Sequence, residues 1–590
     1  MSAKAAPLID IEGLDIHFDG PTGRTAVVEG VDLCIRGGEC VALVGESGSG
    51  KSVTARSLLD LVGPGARVSA RRFLVDGADA LRFDARTWRR LRGTFAGLVM
   101  QDALVSLDPL RSIGQEVGEV LAHHRLLRGR QAIAQRTRDT LARVGIPDPE
   151  ARMAQYAHEL SGGLRQRALI AAAIAGEPRL IIADEPTTAL DASIQKQVIE
   201  VLGRRVRDDG VGLLLISHDL SVVAEIADRV LVMRAGRVVE SGSAREVLSR
   251  PRHAYTRQLI AAVPSASSKG SRLASARFEA PGAVEGAAHA VNAVNAASAA
   301  SAAQGARIVR DPLPPRLLAA TGTHDTVLSV QGIGKRFRRG GGAAWGFGAS
   351  RTEDFVALHD VSFDIAAGEV LGLVGESGSG KSTCAKIVLG LLAPDAGQVQ
   401  LQGRPWSGLP EKARRAQRAS LQYIPQDPLS SFDPRYTVRD VIAENLGALA
   451  PAQATRRVHE LLEQVGLGGN TIERRPRTLS GGQRQRVAIA RALAAQPALI
   501  VCDEPVSALD ISIQAQVVDL IGELQSRLGT ALLFISHDIN LVHHIADRVL
   551  VLSDGRAVEQ GPVDAVFLRP AHDYTRRLLA AVPAPLAAEA

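Results

Sequence analysis

The sequence is short of several things, and each shortage excludes something. Aromatic residues are only 3% of it, so its 46% hydrophobic content is carried mostly by Ala, Leu, Val and Ile. It has four cysteines, Cys34, Cys40, Cys384 and Cys502, with no CxxC pair and no Cys/His cluster. No structural metal site is therefore indicated, and such sparse usage fits a reducing compartment. There is no apolar run of about 18 residues, so no segment is expected to span a bilayer. The chain could still dock to a protein that does. The start, MSAKAAPLIDIEGLDIHF, meets Asp and Glu before any apolar core develops and does not read as a signal peptide. The excess of one charge over the other is also small. The formal net charge is +6, from 69 basic and 63 acidic residues. A nucleic-acid binder would concentrate its basic residues. The short KRFRRG at 335–340 reads as solvated surface or as charge near a bound nucleotide.

What is present is a repeat. The chain has 590 residues, too many for one ordinary core. GESGSGKS occurs at 45–52 and again at 375–382. LSGGLRQRALIAAAI at 160–174 returns as LSGGQRQRVAIARAL at 479–493, and LIIADEPTTALDASIQ at 180–195 as LIVCDEPVSALDISIQ at 499–514. LLISHDL at 214–220 returns as LFISHDI at 533–539, and PRHAYTRQLIAAVP at 251–264 as PAHDYTRRLLAAVP at 570–583. From the LSGG element onward the halves keep a single offset of 319 residues. Lys51 to Ser161 spans 110 residues but Lys381 to Ser480 only 99, so the first half is 11 longer in that stretch. That stretch is where the halves are expected to differ in a partner or regulatory surface.

The expected organisation is a first domain over 1–264, a flexible linker over 265–325 and a second domain over 326–590. The linker is rich in Ala, Ser, Gly and Pro. Such a composition buries too little area to offset its ordering entropy. RRGGGAAWGFGAS at 338–350 reads as a loop inserted near the start of the second domain.

ECVALVGE at 39–46 and EVLGLVGE at 369–376 read as buried strands running into glycine loops, each followed by a helical pattern. Apolar strands alternating with helices argue an α/β core with a mainly parallel sheet, whose ligands bind beyond the carboxyl ends of the strands. All the motifs fall at those ends.

GESGSGKS fits the phosphate-binding pattern G-x-x-x-x-G-K-[ST]. In the first copy Gly45, Glu46, Ser47, Gly48, Ser49 and Gly50 would wrap a phosphate with backbone N–H groups. Lys51 would reach the β and γ phosphates, and Ser52 would hold Mg²⁺, with Val53 following. In the second copy the same roles fall to Gly375, Glu376, Ser377, Gly378, Ser379, Gly380, Lys381, Ser382 and Thr383. Asp184 and Asp503 end apolar strands, where a carboxylate is costly without a cationic partner. They are the expected Mg²⁺-side carboxylates. The adjacent Glu185 and Glu504 are candidates to polarise an attacking water. His218 and His537 follow apolar strands and read as γ-phosphate contacts, although a lone strand-end His is more often a satisfied structural residue. Gln101 and Gln426 could contact Mg²⁺ or water, or could be ordinary loop polarity. Ser161 and Ser480 open LSGG helices as N-caps. With Gly162, Gly163, Gly481, Gly482 and Gln483 they could also form a second phosphate-binding helix end. Each domain already has one such end in its loop, so the surplus asks for a phosphate from elsewhere.

Loop, LSGGQ, DE and His in this order resemble the ATP-binding cassette ATPases, over about 500 of the 590 residues. The resemblance implies an α/β fold: two tandem P-loop NTPase domains with mainly parallel sheets and a helical signature-motif subdomain in each. It implies ATP and Mg²⁺ as cofactors and two cassettes facing head to tail. One ATP would lie between Lys51 and Ser480, the other between Lys381 and Ser161. It also makes Glu185 and Glu504 the catalytic bases and His218 and His537 the switch histidines. Gln101 and Gln426 become lid-loop glutamines, and Asp191 and Asp510 fall in the loop linking the sites. Phe18 and Phe337 would stack on adenine. Leu164, where the second half has Gln483, and Val53, against Thr383, are departures within the first half. Both sites are expected to hydrolyse ATP.

QDALVSLDP at 101–109, QDPLSSFDP at 426–434 and the repeated tails resemble the oligopeptide and dipeptide importer branch, including fused two-cassette ATPases. The resemblance implies a peripheral ATPase on the cytoplasmic face of a bacterial inner membrane, serving two membrane permeases. A periplasmic binding protein would deliver the peptide, and neither peptide nor nucleic acid would touch this chain. Some relatives carry a cysteine cluster near the cassette tail; this chain has none there, so no iron–sulfur centre is expected. The double tail suggests a docking or dimerising role. The rival reading is a soluble tandem cassette protein acting on ribosomes or DNA, but its expected charged helical linker or coiled-coil insertions are missing.

Overall fold

The computed structural model describes residues 6–20, 23–188, 190–279, 307–315, 325–338, 354–447, 449–507 and 509–582. They form two compact units.

The first unit is centred on a six-stranded sheet. Its order is Arg237–Ser243, Arg229–Arg234, Cys40–Val44, Gly212–Ile216, Leu180–Asp184 and Ala96–Val99. All neighbours are parallel except the first pair. Continuous apolar runs such as LLLI at 213–216 build these strands, and Leu213, Leu214, Leu215 and Ile216 are fully buried. A parallel sheet covered on both faces needs that pattern. A second, antiparallel sheet combines Ile9–Gly20 and Gly23–Ile35 with Ala66–Ser69, Arg72–Val75 and Ala78–Asp79. The helices Ile113–His123, Arg130–Arg143 and Gly162–Ile174 pack together as a helical part. Arg167, from the LSGG helix, donates to Gly145 O at 2.6 Å and so caps the end of Arg130–Arg143.

The second unit repeats this plan. Its main sheet runs Leu421–Ile424, Leu499–Asp503, Ala531–Ile535, Val370–Val374, Arg548–Ser553 and Arg556–Pro562. Its helical part contains Val438–Ala443, Pro451–Gln464 and Gly481–Ala494, where Arg486 repeats the cap on Val465 O at 2.6 Å. The extra length of the first half is divided. Lys51 to Gln101 spans 50 residues against 45 from Lys381 to Gln426, and Gln101 to Ser161 spans 60 against 54 from Gln426 to Ser480. In the first stretch the single strand Ala396–Leu401 is matched by two pieces, Ala66–Ser69 and Arg72–Val75.

The segment expected as a flexible linker differs from that expectation where it is described. Residues Ala262–Ala276 and those from Arg310 onward belong to the second unit. Leu273 is fully buried, and the N–H groups of Leu273 and Ala274 both donate to Asp519, each at 2.7 Å. Arg272 pairs with Glu523 at 2.9 Å, and Ser268 Oγ lies 2.8 Å from His544 Nδ1. The strands Arg277–Glu279 and Arg307–Val309 pair antiparallel. Average composition concealed these few directional contacts. The rest of the linker, 280–306 and 316–324, and all but Arg338 of the inserted loop at 338–350 lie outside the described residues.

Candidate nucleotide sites

Each phosphate loop leaves the carboxyl end of a central strand, Cys40–Val44 or Val370–Val374, and enters a helix at Lys51 or Lys381. Its first glycine is required by a close approach. A Cβ on Gly45 would stand 2.2 Å from Met233 O, and one on Gly375 2.2 Å from Leu552 O. Their φ values, 145° and 152°, also suit glycine. Lys51 Nζ donates to Gly45 O at 2.7 Å and Glu46 O at 2.8 Å; Lys381 Nζ does the same to Gly375 O and Glu376 O, at 2.6 and 2.9 Å. Both ammonium groups are thus folded onto the loop they serve.

Asp184 ends strand Leu180–Asp184 almost fully buried and accepts from Ser52 Oγ at 2.9 Å. Burial pushes its carboxyl above the ordinary range, against the Ser52 bond and the charge of Arg56. Asp503 is raised likewise, by burial and by the neighbouring Glu504. It accepts from Tyr423 Oη at 3.3 Å; the first half has Leu98 at the matching place. Hydroxyl and carboxylate oxygens are hard donors, and Mg²⁺ uses one or two carboxylates together with substrate phosphates. Ser52 with Asp184 fits that ion, and in the second unit Ser382, in the first turn of its helix, and Asp503, at the end of its strand, offer the same donor types. Among the described residues no group of three or more His, Cys, Asp or Glu gathers as a dedicated metal cage.

The glutamates that follow have left-handed backbones, with φ 51° at Glu185 and 48° at Glu504. That conformation is uncommon outside glycine and clusters at active sites. Each is held by its own N–H, which donates at 2.9 Å to Ile216 O or Ile535 O of the neighbouring strand. The Glu185 Oε2 atom accepts from Gln101 Nε2 at 2.7 Å and Thr188 Oγ1 at 3.0 Å, and lies 3.4 Å from His218 Nδ1. Glu504 divides its oxygens, Oε2 accepting from Gln426 Nε2 at 2.9 Å and Oε1 facing His537 Nδ1 at 3.2 Å. Burial alone would raise both carboxyls. The histidine hydrogen bond and the nearby charges outweigh it, and both titrate below the ordinary range. Burial would lower His537, but its bond to Glu504 leaves it raised. Both glutamates are therefore ionised at neutral pH, as a water-polarising base must be.

The structure thus gathers lysine, serine, aspartate, glutamate, glutamine and histidine at the carboxyl end of the main sheet in each unit. It places the glutamine amides on the glutamate carboxylates. Ser161 and Ser480 stand exposed at the N-termini of the LSGG helices, accepting from Leu164 N at 3.4 Å and Gln483 N at 3.3 Å. Gln483 also returns a bond from Ser480 N at 3.1 Å, completing a capping box that Leu164 cannot make. Asp191 caps helix Ala192–Arg207 through Ile194 N at 3.0 Å. Phe18 and Phe337 lie on the antiparallel sheets. Phe18 is partly buried, and Phe337 is 41% exposed with Lys335 Nζ 5.9 Å from its ring centre. Sequence reasoning missed Thr188, Tyr423 and the tail tyrosines Tyr255 and Tyr574. Only the repetition of the tyrosines hinted at them.

Two such constellations on two α/β units define a tandem ATP-binding cassette ATPase. Comparison with known families agrees: residues 28–188 and 358–507 match the family described as "ABC transporter". Residues 239–288 and 558–590 match "Oligopeptide/dipeptide transporter, C-terminal region". The chain is 39% identical over 581 residues to the peptidoglycan transport ATP-binding protein YejF of Agrobacterium fabrum, covering 98% of this chain and 96% of that one. It is also 39% identical to the oligopeptide transport ATP-binding protein OppD of Mycobacterium bovis, over 98% of this chain and 99% of that one. Identity is again 39% to the glutathione import ATP-binding protein GsiA of Escherichia coli O157:H7, over 98% of this chain and 90% of that one. The chain belongs to the ABC transporter ATPase family, which uses ATP with Mg²⁺. No helix among the described residues is long and apolar enough to cross a membrane.

Proposed function

We propose that this chain is the ATP-hydrolysing subunit of a bacterial peptide importer, peripheral on the cytoplasmic side of the inner membrane. Two integral-membrane permeases would form the substrate path, and a periplasmic binding protein would supply the peptide. The observation that carries this reading is the oligopeptide/dipeptide transporter tail region, which is present behind both cassettes. The same tails, and full-length relatives named for import or transport, disfavour the ribosome or nucleic-acid alternative. Within the import class, the relatives' names keep glutathione and peptidoglycan beside peptides as cargo; metal chelates are a further alternative.

The residues support the following chemistry. Lys51 or Lys381 leaves its loop carbonyls for the β and γ phosphates. Ser52 with Asp184, or Ser382 with Asp503, would hold Mg²⁺, which would offset the phosphate charge, and Gln101 or Gln426 would release the glutamate to act on water. Glu185 or Glu504 then takes a proton from water as its oxygen bonds to the γ phosphorus. The bond to the β–γ bridging oxygen breaks, leaving ADP and phosphate. His218 or His537 keeps the glutamate ionised and can turn to the γ phosphate. Each site would be completed by the exposed serine of the opposite cassette, Ser480 for the Lys51 site and Ser161 for the Lys381 site. Fusion in one chain keeps both halves at high effective concentration. ATP can drive closure only if it binds the closed form better than the open one.

Co-purification tests the assignment. Recovery of two membrane permeases with the full chain from solubilised membranes is expected. Recovery with ribosomes, and with no membrane protein, would overturn it.

A further inference from the structure

The repeated tail segment P-x-H-x-Y-T-R, read from sequence as a docking element, touches the phosphate loop. The backbone N–H of Glu46 donates to Tyr255 Oη at 3.0 Å, and that of Glu376 to Tyr574 Oη at 2.9 Å. The tyrosines are buried, 3% and 8% exposed. Each is braced from behind. His253 Nδ1 accepts from Tyr255 N, and His572 Nδ1 from Tyr574 N, both at 3.1 Å. Glu240 accepts the N–H groups of Arg252 and His253 at 2.7 and 3.0 Å; Glu559 accepts those of Ala571 and His572 at 2.8 and 3.1 Å. Glu240 and Glu559 lie on the antiparallel outer strands of the two main sheets. A continuous hydrogen-bonded path therefore runs from sheet edge through tail to loop, and it is built the same way in both units.

We infer that Tyr255 and Tyr574 are positioning residues for ATP binding, setting the phosphate loop through the Glu46 and Glu376 peptides. The Glu46 peptides on both sides are gripped, its N–H by the tyrosine and its carbonyl by Lys51. The lysine must leave that carbonyl to reach a phosphate. The tyrosine can stay in place: the Glu46 N–H, expected from sequence to help wrap a phosphate, is instead bonded to the hydroxyl, and the remaining N–H groups of the loop are left for the nucleotide. The tyrosine keeps the loop shaped while the lysine moves, so the loop's ordering cost is met before ATP arrives. The inference rests on ATP binding at the two loops and is independent of the cargo.

The test uses the full chain carrying Tyr255→Phe, Tyr574→Phe or both, which removes only the hydroxyls. The double variant should raise the KM for ATP about three- to ten-fold, the size expected for one lost hydrogen bond per site. Its kcat should stay within about two-fold, because the bond is made before and after the chemical step alike. Amide exchange at Glu46 and Glu376 should accelerate, while the thermal midpoint falls by no more than a few degrees. Each single variant should show the exchange change only in its own loop. Unaltered KM with unaltered exchange would overturn the inference. So would a fall in kcat and thermal midpoint without a KM shift, which would mark the tyrosines as core packing only.

Discussion

Replacing the two glutamates by glutamine should separate their chemistry from their bonding, because the two sites hold the carboxylate differently. In the first, the contacts with Gln101, Thr188 and His218 all fall on Glu185 Oε2. Glu185→Gln can keep its carbonyl oxygen there and turn its NH₂ to the Oε1 side. In the second, Oε1 faces His537 and Oε2 faces Gln426, so an amide must present NH₂ to one of two donors. Glu504→Gln therefore either loses the bond to His537 Nδ1 or obliges the exposed Gln426 to flip its amide, at a cost of up to about 1 kcal/mol. Turnover should fall strongly in both, since a positioned general base contributes about 10²–10⁴-fold, or about 3–5 kcal/mol of barrier. Steady-state ATP hydrolysis and thermal unfolding of the full chain read the two effects. The expected result is low turnover in both variants, with a lowered thermal midpoint only in Glu504→Gln. Near-normal hydrolysis in the double substitution would refute the base assignment. A larger stability loss in Glu185→Gln than in Glu504→Gln would refute the bonding argument.

Two further outcomes follow from the packing and the charges. A Cβ on Gly482 would stand 2.4 Å from Ile513 Cγ2, and one on Gly163 2.9 Å from Ile194 Cγ2. Gly482→Ala should lower the thermal midpoint more than Gly163→Ala, by an overpacking cost of about 1–3 kcal/mol, and Ile513→Ala should restore it; equal midpoints would count against the close contact. Burial pushes the Asp519 carboxyl up from 3.8 to about 6, despite the two N–H bonds it accepts. A raised folded pKa means that its contribution to stability is fully present below the unfolded value and is lost as pH rises through about 6. Asp519→Asn should flatten that part of the stability profile between about pH 4 and 6.5, and an unchanged slope would refute the assignment.

Much of the architecture was legible because the motif strands are continuous apolar runs, which a parallel sheet buried on both faces demands. The loops could be placed because the glycine pattern and the lysine admit few alternatives. The linker was harder. Its Ala, Ser and Gly content is that of a disordered segment, yet a single buried leucine, Leu273, and a carboxylate 246 residues away hold part of it. The pairing of Gln101 with Glu185 could not be read either, since nothing local in VMQD distinguishes an ion-facing amide from one resting on the base. Tyr255 sits 209 residues from Glu46, so its contact is visible only once the chain has folded. The tail motif announced that something was repeated, without saying where it pointed.

In the proposed mechanism each triphosphate is gripped by the lysine of one cassette and the serine of the other. Paired substitutions decide this, read as occluded ATP per chain in a Glu185→Gln, Glu504→Gln background. Lys51→Ala with Ser480→Ala should damage a single site and leave one ATP held, whereas Lys51→Ala with Ser161→Ala should damage both and leave none. The reverse pattern, with the Lys51 and Ser161 pair sparing one ATP, would contradict the claim.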